Sequence, residues 1–302
     1  MARLQGQNFR IGTLNGSTYT VYAMSSSCSI TRSTQVDDAG TKDDTGLSTK
    51  PTITSKGTQI QVESLNVLDM ASLLTAIKSL QPLTLMWDET ATSDNQTALN
   101  ASFARKLEAY LSDGTFTFND RENSAKSLQF IGTGPVEAPT GTITTTQVTP
   151  GTYTKGQFVR LFLSNDNTGA PTKVIAAAKQ LSFHVSVSLE NATTKDTEGD
   201  YEAQEPTGIT FDITTTALVR SNDNISSSVS GQDFESIEEI YETGLPVKFQ
   251  IANVSGANQR TKGTVIVSGS VVLTQLQANA PNKQSVDYTA TLSGYGEFNV
   301  GA

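Results

Sequence analysis

The chain has 302 residues, 36% hydrophobic and 17% charged, with a formal net charge of −9 at pH 7. That acidity argues against generic adhesion to DNA or anionic membrane, and no stretch approaches the ~20 continuous apolar residues of a membrane-spanning helix. A single cysteine, Cys28, and a single histidine, His184, exclude an intramolecular disulfide framework, a Cys/His zinc site and a pair of catalytic histidines.

The length predicts two domains of ordinary size. The segment Met1–Gln7 lacks the apolar core of a signal peptide, so the expectation is a soluble chain made in the cytosol. Along the chain, short runs with period-two patterning dominate. Ile60, Val62 and Leu65 sit among Gln59, Gln61 and Glu63, and Phe116 and Phe118 alternate with Thr115 and Thr117. Leu181, Phe183, Val185, Val187 and Leu189 alternate with Ser182, His184, Ser186 and Ser188, and Ile209, Phe211 and Ile213 alternate with Thr210, Asp212 and Thr214. Val265, Val267, Val271 and Leu273 form one more apolar face. Such alternation predicts half-buried antiparallel strands, hence a mainly β protein.

Two helices interrupt the strands. Over Asp69–Leu80, Met70, Leu73, Leu74 and Ile77 make one apolar stripe, with Asp69 placed to cap the free N–H groups. Over Asp233–Glu242, Phe234, Ile237 and Tyr241 point inward, and Gly244 and Pro246 end the helix.

The halves repeat one another in order. Gly6–Ile11 matches Gly156–Leu161, Thr41–Gly46 matches Thr194–Gly199, Pro51 and Gly57 match Pro206 and Gly208, and Ser64-Leu65 matches Ala217-Leu218. The helices correspond, as do the Pro-led strands Gln81–Trp87 and Leu245–Ile251, the glycines Gly114 and Gly269, and the runs Phe130–Gly134 and Leu292–Gly296. A Pro/Thr-rich connector, Pro135–Pro150, separates them. Residues 33–57 and 190–208 read as long acidic loops, the kind that normally has a use.

Catalytic signatures are lacking. His184, on the polar face of a strand, reads as an exposed structural histidine, and no Gly-x-Ser-x-Gly elbow accompanies it. Cys28 reads as a small, partly buried residue without an activating partner. The acidic set Asp196, Glu198, Asp200, Glu202 and Glu205 lacks EF-hand spacing and reads as a solvated loop. No phosphate loop or dinucleotide fingerprint is present, and Trp87 reads as core or interface.

The order of strand, strand, acidic Lys-Asp loop, strand, helix, Pro-led strand and closing Gly-x-Gly strand resembles the phage major tail tube proteins and the related tube proteins of contractile injection systems. The resemblance rests on Cys28–Ser33, Thr41–Gly46, Gln59–Val67, Asp69–Leu80 and Phe130–Gly134, and in the second half on Thr194–Gly199, Ile209–Val219, Asp233–Glu242 and Tyr288–Gly296. It implies two tandem tail-tube-like β-sandwich or barrel units, each with one short α-helix and a long polar loop, over 1–138 and 156–302, with 139–155 as connector. It further implies a structural virion protein made in the host cytoplasm, with no enzymatic activity, no cofactor and no metal.

Members with one unit form six-subunit rings, so three chains of this kind would close a pseudo-six-fold ring, and stacked rings would form a tube for DNA delivery. The partners implied are further copies of the chain, a terminator, tape measure or baseplate protein, and DNA in transit without specific binding. Inter-ring loop contacts would fall on Lys42, Asp43, Asp44, Gly46, Lys195, Asp196, Glu198 and Gly199. Two other readings are a tail adaptor or terminator of the same fold, and a non-viral tandem β-sandwich binding module.

Overall fold

The computed structural model describes residues 6, 9–22, 24–40, 51–67, 69–88, 103–146, 154–195, 197, 199–219, 231–255 and 261–301. These form a mainly β protein in which seventeen strands belong to one hydrogen-bonded network, with two α-helices. The first half holds β1 (Ile11–Asn15), β2 (Thr18–Val21), β3 (Ser25–Asp38), β4 (Pro51–Ser64), α1 (Met70–Ser79), β5 (Leu83–Asp88), β6 (Ala104–Asn119), β7 (Ala125–Gly132) and β8 (Thr144–Thr146). The second holds β9 (Val159–Leu163), β10 (Lys173–Ile175), β11 (Ala178–Asn191), β12 (Gln204–Leu218), β13 (Gly231–Gln232), α2 (Phe234–Thr243), β14 (Val247–Ser255), β15 (Thr261–Asn279), β16 (Asp287–Gly294) and β17 (Asn299–Val300).

The two halves pair their strands in the same order. In the first, the ladder runs β2-β1-β5-β6-β7-β4-β3. In the second it runs β10-β9-β14-β15-β16-β12-β11. The registers agree along their central rows. One row crosses Leu111, Phe130, Ile60 and Ile30, and its counterpart crosses Leu273, Leu292, Ile213 and Phe183. Each row is followed by an irregularity, between Leu111 and Asp113 and between Leu273 and Gln275. Ile11 opposite Trp87 likewise answers Leu161 opposite Ile251.

These registers move several expected matches. Gly57, opposite Ser33, answers Thr210 opposite Ser186, and Pro51, opposite Asp38, answers Gln204 opposite Asn191, so Gly208 and Pro206 each stand two residues away from the expected position. Gly114 lies three residues past Leu111 and is paired with Leu128, whereas Gly269 lies four residues before Leu273 and is paired with Phe249, so the two glycines are not equivalent. A Cβ at Gly269 would crowd the Phe249 ring at 2.9 Å, so that glycine answers to local packing.

Alternation builds the core as expected. Phe116, Phe118, Leu128 and Phe130 of the first half and Phe183, Ile213, Phe249 and Leu292 of the second all lie in one buried cluster. Helix α1 covers it with Met70, Leu73, Leu74 and Ile77. It also touches β15 and β17 of the other half.

Two helix details differ from expectation. Asp69 makes no side-chain cap bond. Its carboxylate instead accepts from the Nζ of Lys126, whose side chain is fully buried. A buried ammonium without a counter-charge costs far more than an uncapped helix end, so the ion pair wins the carboxylate. In α2, by contrast, Asp233 caps the helix by accepting from Ser236 N at 3.0 Å, and Gly244 closes it at φ 60°. Ile237 and Ile240 are the buried residues of α2 and Phe234 packs against the same cluster, while Tyr241 is 43% exposed.

The loops are shorter than the polar composition implied. β3 runs to Asp38 and β4 starts at Pro51, so Ser, Thr and Gln pairs continue the hairpin well past its apolar rows. In the second half the hairpin turn spans only 192–203. Part of the connector is also structured: β8 adds to β2 as a parallel strand, and Ile143 packs against Tyr19, Val21 and Met86.

Candidate assembly interface

The halves meet edge to edge. β6 bends at its irregularity, so its first part pairs with β5 and its last part pairs with β11 of the second half. The joint is antiparallel, with Asn119 opposite Gln180, Phe116 opposite Phe183, Thr115 opposite His184 and Asp113 opposite Ser186. It fuses β3-β4-β7-β6 and β11-β12-β16-β15 into one eight-stranded stretch.

At this joint His184 bridges the halves. Its Nδ1 lies 2.8 Å from Asp212 Oδ1 on β12 and its Nε2 lies 2.6 Å from Asp113 Oδ2 on β6. Only the imidazolium can donate to both carboxylates. Partial burial pulls the His184 pKa down, but the hydrogen bonds and charges of Asp113 and Asp212 outweigh it, and the net shift is upward. The histidine is half-buried and clamped, not simply exposed. Sequence order hid the site because the partners lie 71 and 28 residues away.

A histidine with a raised folded pKa stabilises the fold most below the unfolded value near 6.5, and that contribution is lost as pH rises through the folded value. An NMR titration of the one imidazole should therefore give a midpoint above 6.5, lowered by Asp113→Asn; a midpoint at or below 6.5 contradicts the clamp.

One face of the eight-stranded stretch is the core and the other is polar. Asp113, Thr115, Ser182, His184, Thr210 and Asp212 stand on the polar face, joined by Gln59, Gln61 and Glu63 of β4. Arg32, Lys56 and Lys126 on these strands alternate onto the opposite face.

The outer edges of the stretch are open. Among the described residues, β3 pairs only with β4, and β15 beyond Leu273 pairs only with β16. Most of β3 is exposed, as are Gln275, Gln277 and Asn279 of β15.

Of the residues expected to join rings, Lys42, Asp43, Asp44, Gly46, Asp196 and Glu198 lie outside the described residues. Lys195 is exposed at the start of a turn, and Gly199 takes φ 78°, a conformation that favours glycine. The end of this turn lies against the first half. Lys56 N donates to Asp200 O at 2.7 Å, Ser55 Oγ to Glu202 Oε1 at 3.0 Å, and Gly134 N to Glu202 O at 3.0 Å. Lys56 also pairs with Asp200 at 3.2 Å. The acidic side chains Asp200 and Glu202 thus hold the second hairpin on the first half.

No described helix is long and apolar enough to cross a membrane. Among the described residues, no group of three or more His, Cys, Asp or Glu side chains is placed to hold a metal ion. Cys28 is partly buried, and burial pushes its thiol pKa up.

No family model matches the chain, and no curated protein matches it. Among solved structures, the chain is similar to the tail of an empty gene transfer agent particle refined with C6 symmetry, at 15% identity and TM-score 0.36, over 48% of this chain and 95% of that one. A chain of the native gene transfer agent virion aligns at 15% identity and TM-score 0.35, over 49% and 99%. The SPP1 tail tube aligns at 15% identity and TM-score 0.34, over 49% of this chain and 78% of that chain. The chain is thus similar, over about half its length, to tail and virion proteins of phage and gene transfer agent particles.

Proposed function

We propose that the chain is a structural subunit of a phage-type tail tube, built from two copies of one unit over 1–138 and 156–302, which closes into rings of three chains that stack into a conduit for DNA. The observation that carries this reading is the joint between β6 and β11. It joins two units of equal strand order edge to edge, and among the described residues it leaves the equivalent edges, β3 and the end of β15, open at the two ends of the eight-stranded stretch. An open β edge pairs with any available partner unless covered, and a head-to-tail contact that closes into a ring removes every such edge. Carrying two units in one chain halves the associations needed to close the ring and so lowers its entropic cost.

The polar face of the eight-stranded stretch is the proposed lumen wall. A wall carrying Glu63, Asp113 and Asp212 amid hydroxyls and amides, with Arg32, Lys56 and Lys126 turned away, His184 held between two carboxylates and Lys179 paired with Asp287, offers phosphates few counterion-releasing contacts. The role needs no catalytic group or cofactor. The segments Lys42–Gly46 and Lys195–Gly199 are the proposed contacts between rings, and a terminator, tape measure or baseplate protein would engage the tube ends.

The test is negative-stain electron microscopy of the purified protein as its concentration is raised, with virion partners supplied in parallel. Stacked rings with a lumen wide enough for duplex DNA are expected. A dispersed monomer under all conditions overturns the reading in favour of an adaptor or a binding module.

A further inference from the structure

The internal joint contains a close backbone approach that one end of the chain is shaped to repeat. Where β6 ends, its backbone lies against the short 3-10 turn Gly156–Phe158. A Cβ on Gly156 would stand 2.3 Å from Asn119 O and 2.4 Å from Asn119 N, so only glycine fits. Phe118 and Asp120 share that cleft with Gly156, Arg160 and the first residues of β11, Ala178–Leu181.

The register places Gly6 where Gly156 stands, Arg10 at Arg160, and Ser25–Cys28 at Ala178–Leu181. Those first-half residues line a cleft of their own, open to solvent. A Cβ on Gly6 meets nothing within 4 Å among the described residues, and its φ is not in the left-handed region. Among the described residues of one chain, then, neither packing nor backbone conformation asks for glycine at position 6.

We propose that this cleft is a socket for the end of β15 of a second copy of the chain, with Gly6 kept small for that backbone. Counting along the matched rows, Asn119 corresponds to Pro281, and Thr115 opposite His184 corresponds to Gln277 opposite Thr31. The proposal deepens the tube reading and rests on it.

A second feature of the surface fits the same contact. At the internal joint the last turn of α1 is covered, with Ile77 and Leu80 beside Val187 of β11. The matching turn of α2 leaves Tyr241 43% and Leu245 64% exposed. The free hairpin at the other end of the chain presents Val36, 55% exposed, opposite Ile53, 43% exposed. Apolar side chains of this size at both ends match a head-to-tail contact with a second copy.

The test uses the full chain in two forms. Gly6→Trp should leave the thermal melt unchanged and cut the assembled fraction at least tenfold. In a Cys28→Ser background, Thr31→Cys with Gln277→Cys should give disulfide-linked oligomers on oxidation of the assembled material, ending at three chains. Directly opposed residues in an antiparallel pair bring their Cβ atoms within about 4.5–5.5 Å, close to disulfide range. Wild-type tubes combined with normal assembly of Gly6→Trp and no cross-link overturn the socket and leave the tube reading standing. If Gly6→Trp does not fold, the cross-link alone decides. Failure of the wild type to assemble at all overturns both.

Discussion

Gly156→Val should destabilise the chain by about 3 kcal/mol or more, measured as a lower midpoint in urea with spectroscopic signals of a loosened joint. The new Cβ would lie 2.3–2.6 Å from the backbone of Phe118 and Asn119, and backbone atoms held in the β6–β11 ladder cannot move aside as a flexible side chain can. The same substitution at Gly6 should leave the melt unchanged, because a Cβ there meets nothing among the described residues. The contrast matters more than either value. One glycine motif occurs in both halves, and only the copy whose cleft is already filled should respond within a single chain. Equal destabilisation by the two substitutions would contradict the equivalence drawn from the registers.

Asp69→Ala should cost about 3–5 kcal/mol, the usual penalty for leaving a buried charge without its partner. Lys126 has no exposed side-chain surface, and burial already drives its pKa down, with Asp69 opposing that shift. Without Asp69 the lysine would be pushed lower still. A folded lysine with a depressed pKa carries its full penalty at low pH, and the penalty fades as pH rises toward the range where it sheds its proton. The loss in Asp69→Ala should therefore be larger at pH 6 than at pH 9. Lys126→Met in the same background should recover most of the loss, because an apolar side chain of similar length asks for no counter-charge. No recovery in the double variant would mean that Asp69 acts through something other than this pair. Position 288 in the second half matches Lys126 and holds Tyr288, which needs no such partner, and there the matching aspartate, Asp233, is free to cap its helix.

Strand alternation was legible because each apolar row is fixed by two-residue periodicity, and Phe183, Val185, Ile213 and Leu292 are buried as that pattern requires. The match between Gly6–Ile11 and Gly156–Leu161 was also legible, and the register of β1 with β5 and of β9 with β14 agrees with it. What escaped the sequence depends on partners far along the chain. Asp69 looks like a cap until Lys126, 57 residues away, claims it. Tyr241 and Ile240 are adjacent, and only the packing of α2 decides which one turns inward. The ends of the β3–β4 hairpin looked like loop because both faces there are exposed, Val36 and Ile53 included, so no burial imposes alternation on residues such as Thr34, Lys56, Asp37 and Thr52. His184 gave no sign of its two carboxylate partners, since cross-strand neighbours follow from register and not from spacing.

In the proposed ring the internal joint repeats between chains until the ring closes. Native mass spectrometry of single rings, released gently from the assembled protein, counts the chains. Three chains of 32.1 kDa per ring is the expected result, because three pairs of equal units then supply six like joints. Rings of any other number, or a species that remains one chain at every concentration, would contradict it.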